Sequence, residues 1–315
     1  MTDNHVLSLA QQLSSRALDW LHAAHRSGFG ALPAGAAVDP TDPDDAYKPI
    51  GEAALAGSLI LRDGVAGPRG MQAAQEMLDF GWRQLRSGDL LYERQLRHTL
   101  LTDPMETYVH FVRAGYRHRA LDELLGALAG LRSVHVSEML PNRRLAVANA
   151  RRTIGIEQPV DWPALAAATW LGALPEPWAV DWSTGYDITH TVFHLTDWGA
   201  LPDGLPAPVA AYLRDWLPVW VDIWLEAGQW DLVGELLAVD SCIGEPVCGS
   251  EPWEQLASVQ HPDGLTPRDA DPVDGDPGTA FKDNEHTAVV AVVAGTVTLA
   301  RALGAAAPPA APAPA

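Results

Sequence analysis

Apolar residues recur at every third or fourth position along almost the whole chain, and this periodicity limits what it can fold into. In residues 6–24, one helical face carries Leu7, Ala10, Leu13, Ala17, Leu21 and Ala24. We find no stretch with four or more cycles of strand-type alternation bounded by turn residues. The sequence therefore predicts an all-α protein.

The predicted helices number about a dozen and are joined by short connections rich in Gly, Pro and Asp. After residues 6–24 they are predicted at 51–61, 71–85, 90–101, 106–114, 120–131, 145–154, 163–174, 187–199, 208–227, 232–242, 253–259 and 285–303. No linker divides this series, so residues 1–304 are predicted to form a single helical domain. The tail 305–315 consists of Ala and Pro and is predicted to be disordered.

A weak internal repeat indicates how the helices are arranged. Two predicted helices end at Ala-Gly, at Gly115 and at Gly228, and the helix that follows each carries Glu-Leu-Leu, beginning at Glu123 and at Glu235. Repeated helix–Gly–helix units favour stacked helical hairpins that close into a ring or extend as a solenoid. A plain helical bundle is the alternative that the pattern leaves open.

The segment Gln260-His-Pro-Asp263-Gly264 follows a predicted helix and leads into a loop. It resembles the Gln-x-x-Asp-Gly element at helix–loop corners of α/α-toroid proteins, the superfamily of terpene cyclases, protein prenyltransferases and lanthionine cyclases. In those proteins the Gln side chain ties neighbouring helix ends together. The resemblance implies an α/α toroid or toroid-like barrel built of helical hairpins.

Composition excludes some partners and compartments. The net charge of −19 repels phosphate backbones and anionic lipid, so we expect neither nucleic acid nor a membrane as a partner. We also expect no nucleotide cofactor. The N-terminus lacks the basic and apolar regions of an export signal, which predicts a cytoplasmic protein. Cys242 and Cys248 can close a loop as a disulfide, but a reducing cytoplasm favours two small buried thiols.

The most distinctive polar pattern lies between Asp187 and Asp197. His190 and His194 are four residues apart, which places both imidazoles on one helical face. Asp187 precedes His190 by three positions and Asp197 follows His194 by three, so all four side chains share one stripe. Such a stripe on an otherwise apolar helix indicates a functional site or a buried polar network.

Three interpretations of this stripe remain open. In the first, His190, His194 and a distant His286 bind zinc or another divalent transition metal, with Asp187 or Asp197 as a further ligand or as an orienting group. In the second, the aspartates orient the imidazoles for metal-free acid/base catalysis. In the third, the His and Asp side chains satisfy one another and only stabilise helix packing.

A second resemblance concerns the same residues. The pattern Asp187-x-x-His190-x-x-x-His194, together with the pair His286-Thr287, is similar to that of an uncharacterised actinobacterial helical family. Glu285 stands where that family's pattern has an aromatic residue. Heavy use of Ala, Pro, Gly, Arg and Asp suggests the GC-rich genome of such a host.

Further candidates are aromatic, basic and acidic. Trp216, Trp220 and Trp224 repeat every four residues, a spacing typical of either a cavity wall or the core, and we assign Trp216 and Trp220 as candidate substrate contacts. Arg144 and Arg151 belong to a helical face that also carries Arg143 and Arg152. That face can bind a phosphate or carboxylate, or pair with the protein's own acidic residues. The string from Asp42 to Asp45 matches the Asp-x-Asp-Asp motif of class II terpene cyclases but fits a solvated turn.

The sequence thus predicts a cytoplasmic enzyme with Asp187, His190, His194, Asp197 and His286 at its centre. The resemblance to toroids implies a cyclase- or lyase-type step on a small or peptidic substrate in specialised metabolism. The alternative is a non-catalytic accessory protein that binds a peptide or a protein partner on a concave helical surface.

Overall fold

The computed structural model describes residues 4–33 and 47–304, and within these ranges it contains helices, turns and loops but no strand. The fourteen α-helices of these ranges are α1 (Asn4–Arg26), α2 (Lys48–Asp63), α3 (Gly67–Gln84), α4 (Asp89–Arg97), α5 (Asp103–Arg113), α6 (Arg119–Ala129), α7 (Arg132–His135), α8 (Pro141–Ile154), α9 (Trp162–Ala167), α10 (Trp182–Thr196), α11 (Ala207–Glu226), α12 (Trp230–Cys242), α13 (Glu251–Val259) and α14 (Pro277–Ala302). The predicted all-α class is confirmed.

Local sequence signals explain where these helices begin and end. The histidine-bearing helix α10 starts with a capping box, in which Asp181 accepts the backbone N–H of Thr184 at 2.8 Å and the Thr184 hydroxyl accepts the N–H of Asp181 at 2.7 Å. Proline in the first turn starts eight of the described helices. Gly64 and Gly155 end α2 and α8 in the left-handed conformation that glycine adopts without strain.

Six helices contact one another in a closed circle. Following the chain, α2 packs on α5, α5 on α8, α8 on α10, α10 on α12, α12 on α14, and α14 returns to α2. Most of the other helices lie outside this ring; for example, α3 packs on α2, and α11 on α12. A closed ring is the arrangement that a toroid-like barrel requires, whereas kinship with the toroid superfamily stays a prediction.

The C-terminal helix α14 is the most deeply buried part of the ring. Nearly all residues from 287 to 300 are inaccessible to solvent, because α1, α2 and α12 all pack against this helix. This burial explains why the most apolar run of the sequence occurs here. None of the helices in the described ranges is long and apolar enough to cross a bilayer.

The corner at Gln260 connects the loop after α13 with helix α1. Gln260 is buried, and its amide nitrogen donates to the carbonyl of Leu13 on α1 at 3.0 Å and to that of Gly264 at 3.2 Å. Gly264 has φ near +100°, and a Cβ there would lie 2.0 Å from the carbonyl oxygen of Arg16, so only glycine fits. The segment thus joins a loop to the middle of a neighbouring helix, whereas the resemblance implied a tie between helix ends. The resemblance to toroid corners stays a prediction.

Two predicted features lie outside the described residues. These are the acidic string at Asp42, Asp44 and Asp45 and the Ala/Pro tail at 305–315.

Candidate functional site

A cavity of about 430 Å³ lies inside the six-helix ring, and every ring helix contributes side chains to its wall. Its apolar wall includes Leu55, Phe193, Trp198, Val289, Val290 and Val293. Of the predicted centre, Asp187, His190, His194 and His286 line this cavity. The structure therefore brings His286 of the last helix to the same cavity as the histidine stripe.

His190 is held in one tautomer. Its Nδ1 lies 2.7 Å from the backbone carbonyl oxygen of Tyr186, one turn earlier on α10, and only an Nδ1–H can make that hydrogen bond. The lone pair is consequently on Nε2, at the far side of the ring from the helix backbone. Because His190 lines the cavity, this basic nitrogen is available to a bound molecule.

His194 and His110 form a second, neutral pair of imidazoles. Burial, with a smaller effect of the nearby His190, lowers the pKa of His194 to about 3. Burial also lowers the pKa of His110 well below 6.5, with Arg113 adding to the effect. Both rings therefore stay uncharged at neutral pH and contribute polar but neutral surface to the wall.

The two aspartates of the stripe make contacts that differ from those predicted. Asp187 lines the cavity, but its carboxylate accepts the Asn142 amide at 2.9 Å and makes no recorded bond to His190. Asp197 is absent from the cavity wall. It ends α10 in the left-handed conformation with φ 45°, and there it pairs with Arg113 at 2.7 Å and accepts from Asn149 at 3.1 Å.

The environment of Asp197 is an ion-pair network and not a catalytic one. Burial opposes its ionisation, but the Arg113 and Arg62 guanidiniums outweigh burial and hold the pKa of Asp197 below 3.8. The side chain of Arg113 is only 6 % exposed, so it needs this counter-charge. The assignment of Asp197 as catalytic is therefore replaced by a role in joining α10 to α2 and α5.

The strongest concentration of ionisable groups surrounds His286. Its Nδ1 lies 2.9 Å from Glu52 Oε1 on α2. Its Nε2 lies 3.6 Å from Asp231 Oδ2 and 3.5 Å from Glu235 Oε1, both on α12. Asp231, Glu235 and His286 each offer one ligand atom, and these atoms all lie within 4.8 Å of one another.

Hydroxyl groups fix the two carboxylates of α12. Thr189 donates to Glu235 Oε2 through a short hydrogen bond. Asp231 accepts from the Tyr186 hydroxyl at 2.5 Å and from Thr287 at 2.7 Å. Three hydroxyls from two helices, α10 and α14, hold these oxygens, so the carboxylates are oriented before any ligand arrives.

The charges in this cluster strongly affect one another. Burial opposes protonation of His286, but Glu52 and Asp231 outweigh it and raise the pKa of His286 well above 6.5. Burial raises the pKa of Asp231, and the negative Glu235 adds to this. Burial and the neighbouring Glu52 raise the pKa of Glu285 well above 4.5, so Glu285 holds its proton. Such opposed shifts are typical of sites that handle protons or cations.

The predicted three-histidine ligand set is not what the structure forms. His190 and His194 have ring centroids 6.1 Å apart, and neither belongs to the metal-sized group found among the described residues. His286 belongs to that group, but its companions are Asp231 and Glu235. An i, i+4 pair can share a helical face without converging on one point, because here the Tyr186 carbonyl sets the direction of the His190 ring.

Sequence reasoning missed Asp231, Glu235, Glu52 and Glu285. A signal was present, since Asp231 and Glu235 are four residues apart on the otherwise apolar helix α12, where uncompensated charge is costly. Glu52 and Glu285 carried no comparable pattern. Glu285 directly precedes His286 in the sequence, whereas only the closure of the ring brings Glu52 beside His286.

The aromatic and basic candidates lie away from the cavity. Trp220 is buried, and its indole N–H donates to the Pro177 carbonyl at 2.9 Å. Trp216 packs against the hydrophobic core, and neither tryptophan lines the cavity, so both are corrected to core residues.

The arginine face is likewise used for pairing inside the protein. Arg144 is exposed and donates to the Ser137 carbonyl, and Arg151 donates to Gln158 at 2.6 Å. Neither lines the cavity, whereas their neighbour Arg143 does and pairs with Glu106 at 2.6 Å. Arg143 is the member of this face placed to meet a bound molecule.

Both cysteines are free thiols, so the disulfide alternative is wrong. Cys242 is fully buried, and burial raises its thiol pKa to about 12. A thiol in such surroundings is unreactive and serves as a small apolar residue.

Comparison with protein families gives one finding. A family model described as "Domain of unknown function (DUF6895)" matches residues 14–296. The chain belongs to the DUF6895 family. No curated protein and no solved structure matches it. The matched residues of this DUF6895 protein include five ring helices in full, α14 up to residue 296, and the whole His286 cluster.

Proposed function

We propose that this DUF6895 protein is an enzyme that moves a proton to or from a small organic or peptidic substrate in a lyase- or cyclase-type reaction. One observation carries the proposal. His190, a histidine with a fixed tautomer, shares a cavity with the protonated imidazole of His286.

His190 is suited to act as the base. Its Nδ1–H is held by the Tyr186 carbonyl, so Nε2 can accept a proton from a substrate without reorienting the ring. Glu235 lies nearby and stabilises the positive charge that develops on the imidazole, as its own pKa is lowered chiefly by His190 against burial.

The His286 cluster is suited to the opposite task. The protonated His286 can donate its Nε2–H, which lies 3.5 Å or more from the neighbouring carboxylates, to the substrate oxygen or nitrogen on which negative charge develops when a proton leaves. The rigid hydroxyl and carboxylate contacts around it keep this centre in place during the reaction.

The cavity limits the chemistry further. Its volume lies within the range of about 300–1,000 Å³ that suits small ligands. Among the described wall residues the only hydroxyls are those of Thr107 and Tyr186, and no cysteine or serine lines the wall. This favours proton transfer over a covalent acyl-enzyme route. We place the activity in the cytoplasm and in actinobacterial specialised metabolism, on composition and sequence resemblance alone.

Deuterium incorporation tests the proposal without a known substrate. Purified protein is incubated with fractionated small-molecule extracts in D2O, and products are followed by mass spectrometry. We expect a time-dependent product that carries one added deuterium and fails to form with His190→Asn. The exposed Arg144→Ala variant is the matched control and should retain the reaction.

Two results would overturn the enzyme proposal. One is a product that forms equally with wild type and His190→Asn. The other is a molecule that is captured stoichiometrically from the extract and recovered unchanged, which would support the accessory binding protein instead.

A further inference from the structure

The potential ligand atoms of Asp231 and Glu235 both lie at metal-ligand spacing from His286 Nε2. A tetrahedral ion with ligand distances of about 2.0–2.2 Å holds its ligand atoms about 3.3–3.6 Å apart. His286 Nε2 lies 3.5 Å from Glu235 Oε1 and 3.6 Å from Asp231 Oδ2. These separations are longer than ordinary hydrogen bonds, which run to about 3.2 Å, and they match the edges of a coordination tetrahedron.

Each of these ligands is also oriented through its other polar atom. Glu52 accepts from His286 Nδ1, which directs the Nε2 lone pair toward the two carboxylates. Thr189 holds the distal oxygen of Glu235, and Thr287 holds that of Asp231. The carboxylate–histidine–metal relay is the usual way in which proteins orient a metal-binding imidazole.

The number of carboxyl groups around His286 is a second observation that favours a cation. Glu285 is 4 % exposed and holds its proton, which it shares with the adjacent carboxyl group of Glu52. Four carboxyl groups therefore converge here, while the nearby cations are His286 and a half-exposed Lys48. The cluster needs positive charge from protons or from a bound ion.

We propose that Asp231, Glu235 and His286 bind one divalent transition metal ion of the zinc type, with Glu52 as the residue that positions His286. The inference rests on the proposed function only in taking this cavity as the active site. One imidazole and two carboxylates suit zinc, manganese or ferrous iron better than magnesium. The fourth position faces the cavity, where a substrate oxygen or a water can bind.

This assignment gives the positive centre of the proposed reaction a specific form. A metal ion polarises a substrate carbonyl or lowers the pKa of a bound water, and His190 on the same cavity wall receives the proton. His286 then acts as a neutral ligand, since its Nε2 lone pair is used by the ion.

Metal titration of the untagged full chain tests the site. The protein is stripped with a chelator and titrated with Zn²⁺ under competition, and bound metal is counted by elemental analysis. We expect about one Zn²⁺ per chain. Glu235→Gln and Asp231→Asn should each weaken binding at least 100-fold, and Glu52→Gln about 10- to 100-fold. Co²⁺ in place of Zn²⁺ should give the visible absorption bands of a tetrahedral site.

The matched control is Asp240→Asn, a buried carboxylate on the same helix α12 that accepts from the backbone of Val247 and lies outside the cluster. It should bind zinc as the wild type does. The helical circular dichroism signal shows whether each variant is folded. If Glu235→Gln does not fold, Asp231→Asn is used in its place.

The proposal fails if no stoichiometric zinc, cobalt or manganese binds, or if binding survives in the Asp231→Asn/Glu235→Gln double variant. Metal bound without any turnover would contradict only the proposed reaction. Turnover by metal-free protein would contradict only the part that the ion is given in that reaction.

Discussion

His286 Nε2 and Glu235 Oε1 lie 3.5 Å apart, although they belong to different helices, α14 and α12. The contact exists because the last helix closes the ring between α12 and α2. It places a protonatable nitrogen and a buried carboxylate at the wall of the cavity, too far apart for a good hydrogen bond and close enough to share a cation. Both proposals above depend on this pair.

The first prediction concerns His190. Asparagine at position 190 keeps an N–H that can reach the Tyr186 carbonyl but removes the Nε2 base. We expect turnover in the deuterium assay to fall by about 10²- to 10⁴-fold, the usual contribution of a general base, with the thermal midpoint little changed. His190→Gln is a second test, since its longer side-chain amide is not a base either and should also give low turnover. Full activity in both variants would remove His190 from the mechanism.

Much of the fold was predictable because helices are specified locally. Apolar periodicity located most of the helices, since this signal acts within a few residues. The predicted starts of α2, α5, α8 and α14 came three to eight residues late, because the first turn with its proline precedes the apolar pattern. The order of the helices in the ring was harder to predict from the sequence. It depends on which apolar faces pack together, and the nearly uniform burial of α12 and α14 leaves no single face to read.

The candidate site was predictable only in part. His190 and His286 were identified because isolated imidazoles on apolar helices stand out. Asp197 was misassigned because its spacing from His194 ignores the end of α10, where the backbone turns to positive φ and directs the side chain toward Arg113. Glu52 was missed since its role exists only across the ring.

The second prediction concerns the corner at Gln260. Gln260→Ala leaves the carbonyls of Leu13 and Gly264 without their donor in a buried setting. We expect the free energy of unfolding to fall by about 2 kcal/mol in urea titrations. Asp263→Ala, at an exposed position of the same corner, should cost less than about 1 kcal/mol. Equal losses in the two variants would argue against a tie between α1 and this loop.

The third prediction separates stability from catalysis at Asp197. Asp197→Asn tolerates the left-handed backbone but leaves the Arg113 guanidinium buried without its charge partner. We expect a loss of about 3 kcal/mol in unfolding free energy, toward the lower end for a buried pair because Asp197 is partly accessible. Zinc affinity should be unchanged.

A double-mutant cycle isolates that pair. Adding Arg113→Met to Asp197→Asn removes the guanidinium that has lost its charge partner. The double variant should therefore lose less unfolding free energy than the two single variants lose together. Strict additivity would show that the two side chains do not interact energetically.

The last prediction concerns acid sensitivity at a site remote from the cavity. His25 is buried and stacks on Phe80 with ring centroids 5.3 Å apart, and burial, with a smaller effect of His22, lowers the pKa of His25 to about 4. The unfolded chain takes up this proton near pH 6.5, whereas the folded chain does not until about pH 4. Protons therefore favour the unfolded state, and the stability linked to His25 is lost as the pH falls through this window.

His25→Phe retains a stacking ring but cannot titrate. Between pH 7.5 and 4.5 the wild type should lose about 2.5 kcal/mol relative to His25→Phe, at about 1.4 kcal/mol per pH unit of unmatched protonation. Urea unfolding of both proteins at several pH values measures this difference, and parallel pH profiles would show that His25 is protonated equally in both states.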